Sequence, residues 1–284
     1  EIAQLEIQDA RLVYAPAVGI GNFGGETDNW RWPRHTGDWS FYRAYVGKDG
    51  KPAPFSKENV PYRPAHWLPV QPAGVKEGDL VFVVGYPGRT QRHQTWAQVK
   101  ETTEWAFPRF VEGAQEQIAI LEELGKADPE LKIKAAGRVR GLNNSLTNRK
   151  GQLDGLVKGG ILAKKEQNEK ALAAWIAADP ARQKEYGDVL PALAALQAES
   201  DKTRERDAAF AGLFMSSSML NAAHSAHLLS VERAKKGDMD REPEYQERNW
   251  KRIREGQDRA QRAIDARIEK ALLAWAMGPV AALP

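Results

Sequence analysis

The sequence predicts an α+β chain in two parts, short strands of a β-barrel or sandwich over residues 1–90 and a large all-α domain over residues 91–284. Two observations lead there. Up to Gly88, β-branched and aromatic runs alternate with clusters of Gly, Pro, Asp and Asn, the punctuation of strands and tight turns. From Thr95 onward apolar residues recur at helical spacing and Gly and Pro become sparse.

In chain order, LEIQDARLVYAP reads as a first strand and AVGIGNFGG as an extended, glycine-rich continuation. Residues Trp39 to Val46, WSFYRAYV, are aromatic and β-branched and form the second clear strand, preceded by a coil holding Gly24, Gly25, Asp28, Asn29, Pro33 and Gly37. The Pro- and Gly-rich stretch that follows would tolerate no helix. Asp79 to Gly85, DLVFVVG, has the length and branching of a buried strand and ends in the turn Tyr86-Pro87-Gly88. A helix is then expected from Thr95 to about Phe107, broken or kinked by Pro108, and a second from Arg109 to Gly125. Asp128-Pro129 and Asp179-Pro180 each pair an N-cap residue with proline at the first helical position. Helix continues through Ala178 with an interruption near Gly159-Gly160, and two further helical stretches cover Arg182 to Lys235 and Glu242 to Met277. Ser216-Ser217-Ser218 falls inside this pattern and reads as small-residue packing.

Composition removes several classes of function. The chain has 284 residues, 41 basic against 38 acidic, and a net charge of +3, a near balance that points only weakly to acidic partners and leaves nucleic-acid binding through the basic helices as the weakest of the readings. Arg248, Lys251, Arg252 and Arg254 are diluted by Glu247 and Glu255. No apolar run is long enough to cross a bilayer. Without cysteine there is no disulfide, thiolate metal site or cysteine nucleophile. The opening at Glu1 and the apolar close LLAWAMGPVAALP read as the ends of an interior portion of a longer protein.

The informative stretch is NFGGETDNWRWPRHTGDWSFYRAYV, followed by VFVVGYPGRT. It resembles the bacterial dipeptidyl aminopeptidase BII and dipeptidyl-peptidase 7 family, serine exopeptidases with a chymotrypsin-like β-barrel catalytic domain into which a large helical domain is inserted. The block NWRWPRHTGD carries the likeness, and the change from strands to helices near Gln91 matches the family's domain order. The resemblance implies that Asp38, in HTGDWSF, is the orienting acid of a Ser-His-Asp triad. It implies that Asn29 in TDNW and Asn144 in GLNNS receive the α-amino group of the substrate, and that Trp30 walls the site for the second substrate side chain. It implies oligopeptide substrates with an unblocked N-terminus, no cofactor or metal, a periplasmic or extracellular setting, and a homodimer in the full-length protein.

Each residue also has a plainer reading. Asp38 can make a local turn hydrogen bond at a strand start, Asn29 can be a turn residue, and Trp30 can serve packing. Asn144 can face water in mid-helix, and Asn143 competes with it for the cleft. The family's histidine precedes this stretch and its serine follows the helical domain; no G-x-S-x-G, GDSG or GNSG motif is present. The segment alone is therefore expected to be inactive. His35 is too close to Asp38 in sequence to bridge it to a serine. His224 and His227 have a spacing that could hold a metal but no supporting motif. GIGNFGG lacks the helix a dinucleotide loop needs. The rival from another class is a non-enzymatic helical protein-binding module with a small β cap.

Overall fold

The computed structural model describes residues 5–82 and 91–284. The chain divides into two units, Glu1–Arg92 and His93–Pro284.

In the first unit three antiparallel strands form one sheet in the order β1-β2-β3, with β1 at Asp9–Tyr14, β2 at Phe41–Val46 and β3 at Val60–Pro61. Asp9 pairs with Tyr45 and Leu12 with Tyr42, but Tyr14 pairs with Phe41, so one extra residue bulges β1 at its end. A buried ionic knot ties the sheet to the following loop. Asp9, 2% exposed, accepts two hydrogen bonds from the Arg11 guanidinium (3.0 and 2.8 Å) and one from Asn59 Nδ2 at 2.9 Å. Arg11 Nη2 also donates to the Ser56 carbonyl at 2.8 Å, and its guanidinium lies 3.8 Å from the Tyr45 ring centroid. The Arg11 contact holds the Asp9 carboxyl at about 2, well below its ordinary value.

This is not the chymotrypsin-like β-barrel that the sequence leads one to expect. Closure would require enough strands to cover both sheet edges and an inward apolar face. Among the described residues there are three strands, the last of two residues, and Leu12, Phe41 and Tyr42 on the sheet are exposed. Asp79 to Phe82 are exposed coil, not a buried strand, because nothing described pairs with them; the rest of that run and the Tyr86-Pro87-Gly88 turn lie outside the described residues. The stretch read as extended from Ala17 to Gly25 holds a single helical turn, α1 at Val18–Gly21, and a second, α2, begins at Gly25 and runs to Asp28. Glycine at positions 24 and 25 with positive φ lets the chain reverse between them.

The second unit is helical. Thr95 caps α3 (Trp96–Glu101) in a full capping box with Gln98. Pro108 does not break the next helix. It lacks an N–H, so the carbonyl of Glu104 has no α-helical donor, and the backbone inserts a π turn over Thr102–Ala106, with Phe107 N–H bonded to Thr102 O. The chain then runs on as α4, Phe107–Ala127. Asp128 caps α5 (Pro129–Lys158) through the Glu130 amide at 2.8 Å, as the Asp-Pro pair predicts. Gly160, at φ 60°, makes the left-handed step into α6, Ile161–Ala177. Asp179 caps α7 (Pro180–Tyr186) in the same manner as Asp128. The remaining helices are α8 (Val189–Ser216), α9 (Ser218–Arg233), α10 (Glu247–Ala263) and α11 (Ala266–Ala281). Leu121 of α4, Leu131 and Ala135 of α5, and Ile268 and Leu272 of α11 form the core where these three helices meet.

The three serines at 216–218 do not pack inside one helix. They form the junction between α8 and α9, served from both sides. Arg138 of α5 donates to the Met215 carbonyl at 3.1 Å, near the α8 C-terminus. Glu269 of α11 accepts from Ser217 Oγ at 2.7 Å and from the amides of Ser218 and Met219 at 3.1 and 3.2 Å, the first turn of α9. Burial alone would raise the Glu269 carboxyl, but the Ser217 hydroxyl and the two amides outweigh it and hold the group below its ordinary value.

Candidate active site

Asp38 stands in the coil that leads into β2 rather than at the head of the strand itself. Its side chain is exposed. The backbone on either side of it is held. Upstream, Thr36 Oγ1 donates to the Phe23 carbonyl at 3.0 Å, and the Gly37 amide donates to the Ile20 carbonyl, in α1, at 2.9 Å. Downstream, the Trp39 ring stacks on Tyr14 at the end of β1, centroids 5.2 Å apart, and tilts against Phe41 at the start of β2 at 5.0 Å. A carboxylate in this position is presented outward from a fixed backbone, which is what orienting a partner side chain requires.

Asn29 follows α2 and is half-buried; its Nδ2 donates to Glu26 Oε2 at 3.1 Å, one turn back. Trp30, 59% exposed, has φ 59°, a left-handed backbone that a bulky residue adopts only at a cost of about 1–2 kcal/mol. His35 is exposed. Asn29, Trp30 and Asp38 thus lie in one unit, on the segment that runs from α2 into β2.

Asn144 lies in the second unit, in the middle of α5, and is exposed, whereas Asn143 beside it is half-buried. On the same helix the Arg149 guanidinium sits 4.8 Å from the Phe107 ring and 5.9 Å from the Phe110 ring, fixing the first turns of α4 against α5. His224 packs against Phe214, ring centroids 4.5 Å apart. Among the described residues, no group of three or more His, Asp or Glu is arranged to hold a metal ion, and no helix is long and apolar enough to cross a membrane.

Sequence reasoning missed the partners of the Asp38 segment. Thr36 and Gly37 sit inside the motif but their contacts, Phe23 and Ile20, lie 13 and 17 positions earlier (36 − 23 and 37 − 20). No periodicity links them; the fold of the intervening turns brings them together.

Residues 1–283 match the model of the family described as Peptidase S46. The chain is 39% identical over 248 residues to the Asp/Glu-specific dipeptidyl-peptidase of Shewanella putrefaciens, covering 87% of this chain and 33% of that one. It is 35% identical over 225 residues to dipeptidyl-peptidase 7 of Porphyromonas gingivalis, covering 79% and 32%. The crystal structure of Porphyromonas endodontalis DPP11 in complex with the dipeptide Arg-Glu superposes with a TM-score of 0.71 at 29% identity, over 98% of this chain and 39% of that one. The chain therefore spans about a third of the length of the curated relatives it matches.

Proposed function

The chain belongs to the peptidase S46 family, and from that premise we propose that the protein containing it is a serine-type dipeptidyl peptidase. It releases dipeptides from the unblocked N-terminus of oligopeptides by acyl transfer to a serine followed by hydrolysis. The dipeptidyl-peptidase names of its relatives support the reaction class. The observation that carries this chain's part in it is the outward-facing Asp38 carboxylate on a segment held by Thr36 and Gly37 upstream and Trp39 downstream.

In this reading the Asp38 carboxylate accepts a hydrogen bond from Nδ1–H of a histidine outside the chain, fixes its tautomer, and stabilises the imidazolium formed when the serine proton is taken up at Nε2. The amine of the substrate, a cation with donors only, needs acceptors. Asn29 contributes its Oδ1 as one acceptor while Nδ2 is engaged by Glu26, whose carboxylate adds negative charge nearby. Asn144 supplies a second amide acceptor from α5, and Trp30 walls the pocket for the second substrate side chain. Anchoring the ammonium at a set distance from the nucleophile is what makes cleavage occur after two residues. With histidine and serine supplied elsewhere, the chain alone hydrolyses no peptide. A periplasmic or extracellular setting and a homodimer of the full-length protein belong to the same proposal.

The test is a comparison of substrates. In the full-length enzyme Asn29→Ala lowers kcat/KM for a dipeptidyl substrate with an unblocked amine far more than for its N-acetylated counterpart. Equal losses on the two would remove Asn29 from amine recognition.

A further inference from the structure

We propose that the Ile20 turn and Gly37 are positioning residues for Asp38, which they hold by a backbone approach so close that position 37 admits no side chain. This rests on the reading of Asp38 as the triad acid. The Gly37 amide bonds the Ile20 carbonyl at 2.9 Å, and a Cβ built on Gly37 would stand 2.8 Å from Ile20 Cγ2 and 3.5 Å from Ile20 O. The first distance is shorter than any tolerated carbon–carbon contact, and Cγ2 is a branch methyl next to the backbone rather than the end of a flexible chain, on a residue whose χ1 is stiff in a helical turn. The same added atom would come within 3.7 Å of Trp39 Nε1, so the ring that anchors the downstream side lies on this face too. The glycine is required here for space and not for a left-handed φ.

The residues on the two sides of Asp38 reach different supports and are also joined across it, the Trp39 amide donating to the Gly37 carbonyl at 3.0 Å. Thr36 and Gly37 are tied to Phe23 and to α1, and Trp39 is tied to the ends of β1 and β2. A side chain at 37 must lift the segment off the Ile20 turn, which strains the Gly37–Trp39 turn that closes around Asp38 and so re-aims its carboxylate. Displacement of a catalytic group by as little as 1 Å can cost about a hundredfold in rate.

The experiment uses the full-length enzyme and four variants. Gly37→Ala is expected to lower kcat by roughly 10- to 100-fold with KM nearly unchanged. Because a well-placed Asp38 raises the histidine pKa, the acid limb of kcat/KM against pH is expected to move to lower pH in Gly37→Ala. A loss of folded enzyme alone would scale the rate and leave the limb where it was. Adding Ile20→Ala removes the methyl that the new Cβ meets, and the double variant is expected to recover most of the loss and the original limb. If Gly37→Ala does not fold, Thr36→Val deletes the bond to Phe23, together with the one Thr36 accepts from Arg34 at 3.2 Å, without adding bulk, and it is expected to show a smaller loss, about threefold, with the same displacement of the limb. Normal turnover in Gly37→Ala, an unmoved limb in either variant, or no recovery in the double variant would overturn the proposal. Asp38→Asn, run alongside, separates the two levels. If it is crippled while Gly37→Ala is normal, only the positioning role falls; if it keeps near-normal turnover, the triad reading falls and the positioning role with it.

Discussion

Glu269→Ala is the substitution whose cost can be worked out most fully. The side chain is 7% exposed and accepts three hydrogen bonds, from Ser217 Oγ and the amides of Ser218 and Met219. Truncation leaves two amides of the first turn of α9 without acceptors. The Ser217 hydroxyl still accepts from Leu220 N at 3.1 Å but loses the acceptor for its own proton. Each orphaned buried group costs about 1–3 kcal/mol, and water entering the vacated space returns part of that. The half-buried Arg138 loses a neighbouring negative charge as well. A total of about 3–5 kcal/mol follows, the range found when one partner of a buried ionic arrangement is removed. Glu269→Gln keeps the shape and one acceptor, loses the charge, and turns an NH₂ donor toward other donors, for about 2 kcal/mol. Against a typical stability of about 5–15 kcal/mol either loss is large. Urea titration followed by far-UV circular dichroism reads both, as a lower midpoint at unchanged slope. A cost below about 1 kcal/mol for Glu269→Ala, or Gln as damaging as Ala, would refute the reasoning.

Two more predictions concern acid and the second amine anchor. Asp128, Asp265, Glu232 and Glu269 all titrate below their ordinary values in the folded chain, Asp128 through the Glu130 amide, Asp265 through Arg267 and then Lys134, and Glu232 through Lys235. For carboxylates lowered on folding, the stabilisation is complete above the unfolded values of 3.8 and 4.5 and is lost as pH falls through the folded ones. The thermal midpoint should therefore hold from pH 7 to about 5 and fall below about 4, with a shallower fall in Glu269→Gln; a midpoint already falling between pH 7 and 5 would contradict this. On α5, Asn144→Ala in the full-length enzyme should raise KM for amine-bearing substrates, whereas Asn143→Ala should act on stability; the reverse pattern would exchange their roles.

Local chemistry was legible in the sequence, and long-range pairing was not. Asp128-Pro129, Asp179-Pro180 and Gly160 punctuate the helices as their residue types dictate, because caps and left-handed steps are decided within a few residues. The strands ending at Tyr14 and Val46 were also readable from β-branching and aromatics. The barrel was not, because strand-like composition does not establish that a partner strand exists. Leu80 to Phe82 have every local feature of a buried strand and lie exposed. Ser217 was misread for a related reason, since its partner Glu269 is 52 residues away. The π turn before Pro108 is intermediate; proline announces a missing N–H, but whether the helix breaks or widens depends on its packing. For the site, the motif around Asp38 gave the candidate residues, while the contacts of Ile20, Phe23 and Tyr14 that hold it emerged only in three dimensions.

The measurement closest to the central claim is the turnover of Asp38→Asn in the full-length enzyme, with its far-UV spectrum and thermal midpoint recorded on the same sample. Asp38 is exposed and its removal disturbs no core, so a native spectrum and midpoint are expected. Turnover is expected to fall on the order of 10⁴-fold, the loss that follows when the triad acid of a chymotrypsin-type protease is replaced by its amide. A folded variant that releases dipeptides at close to the wild-type rate would contradict the assignment.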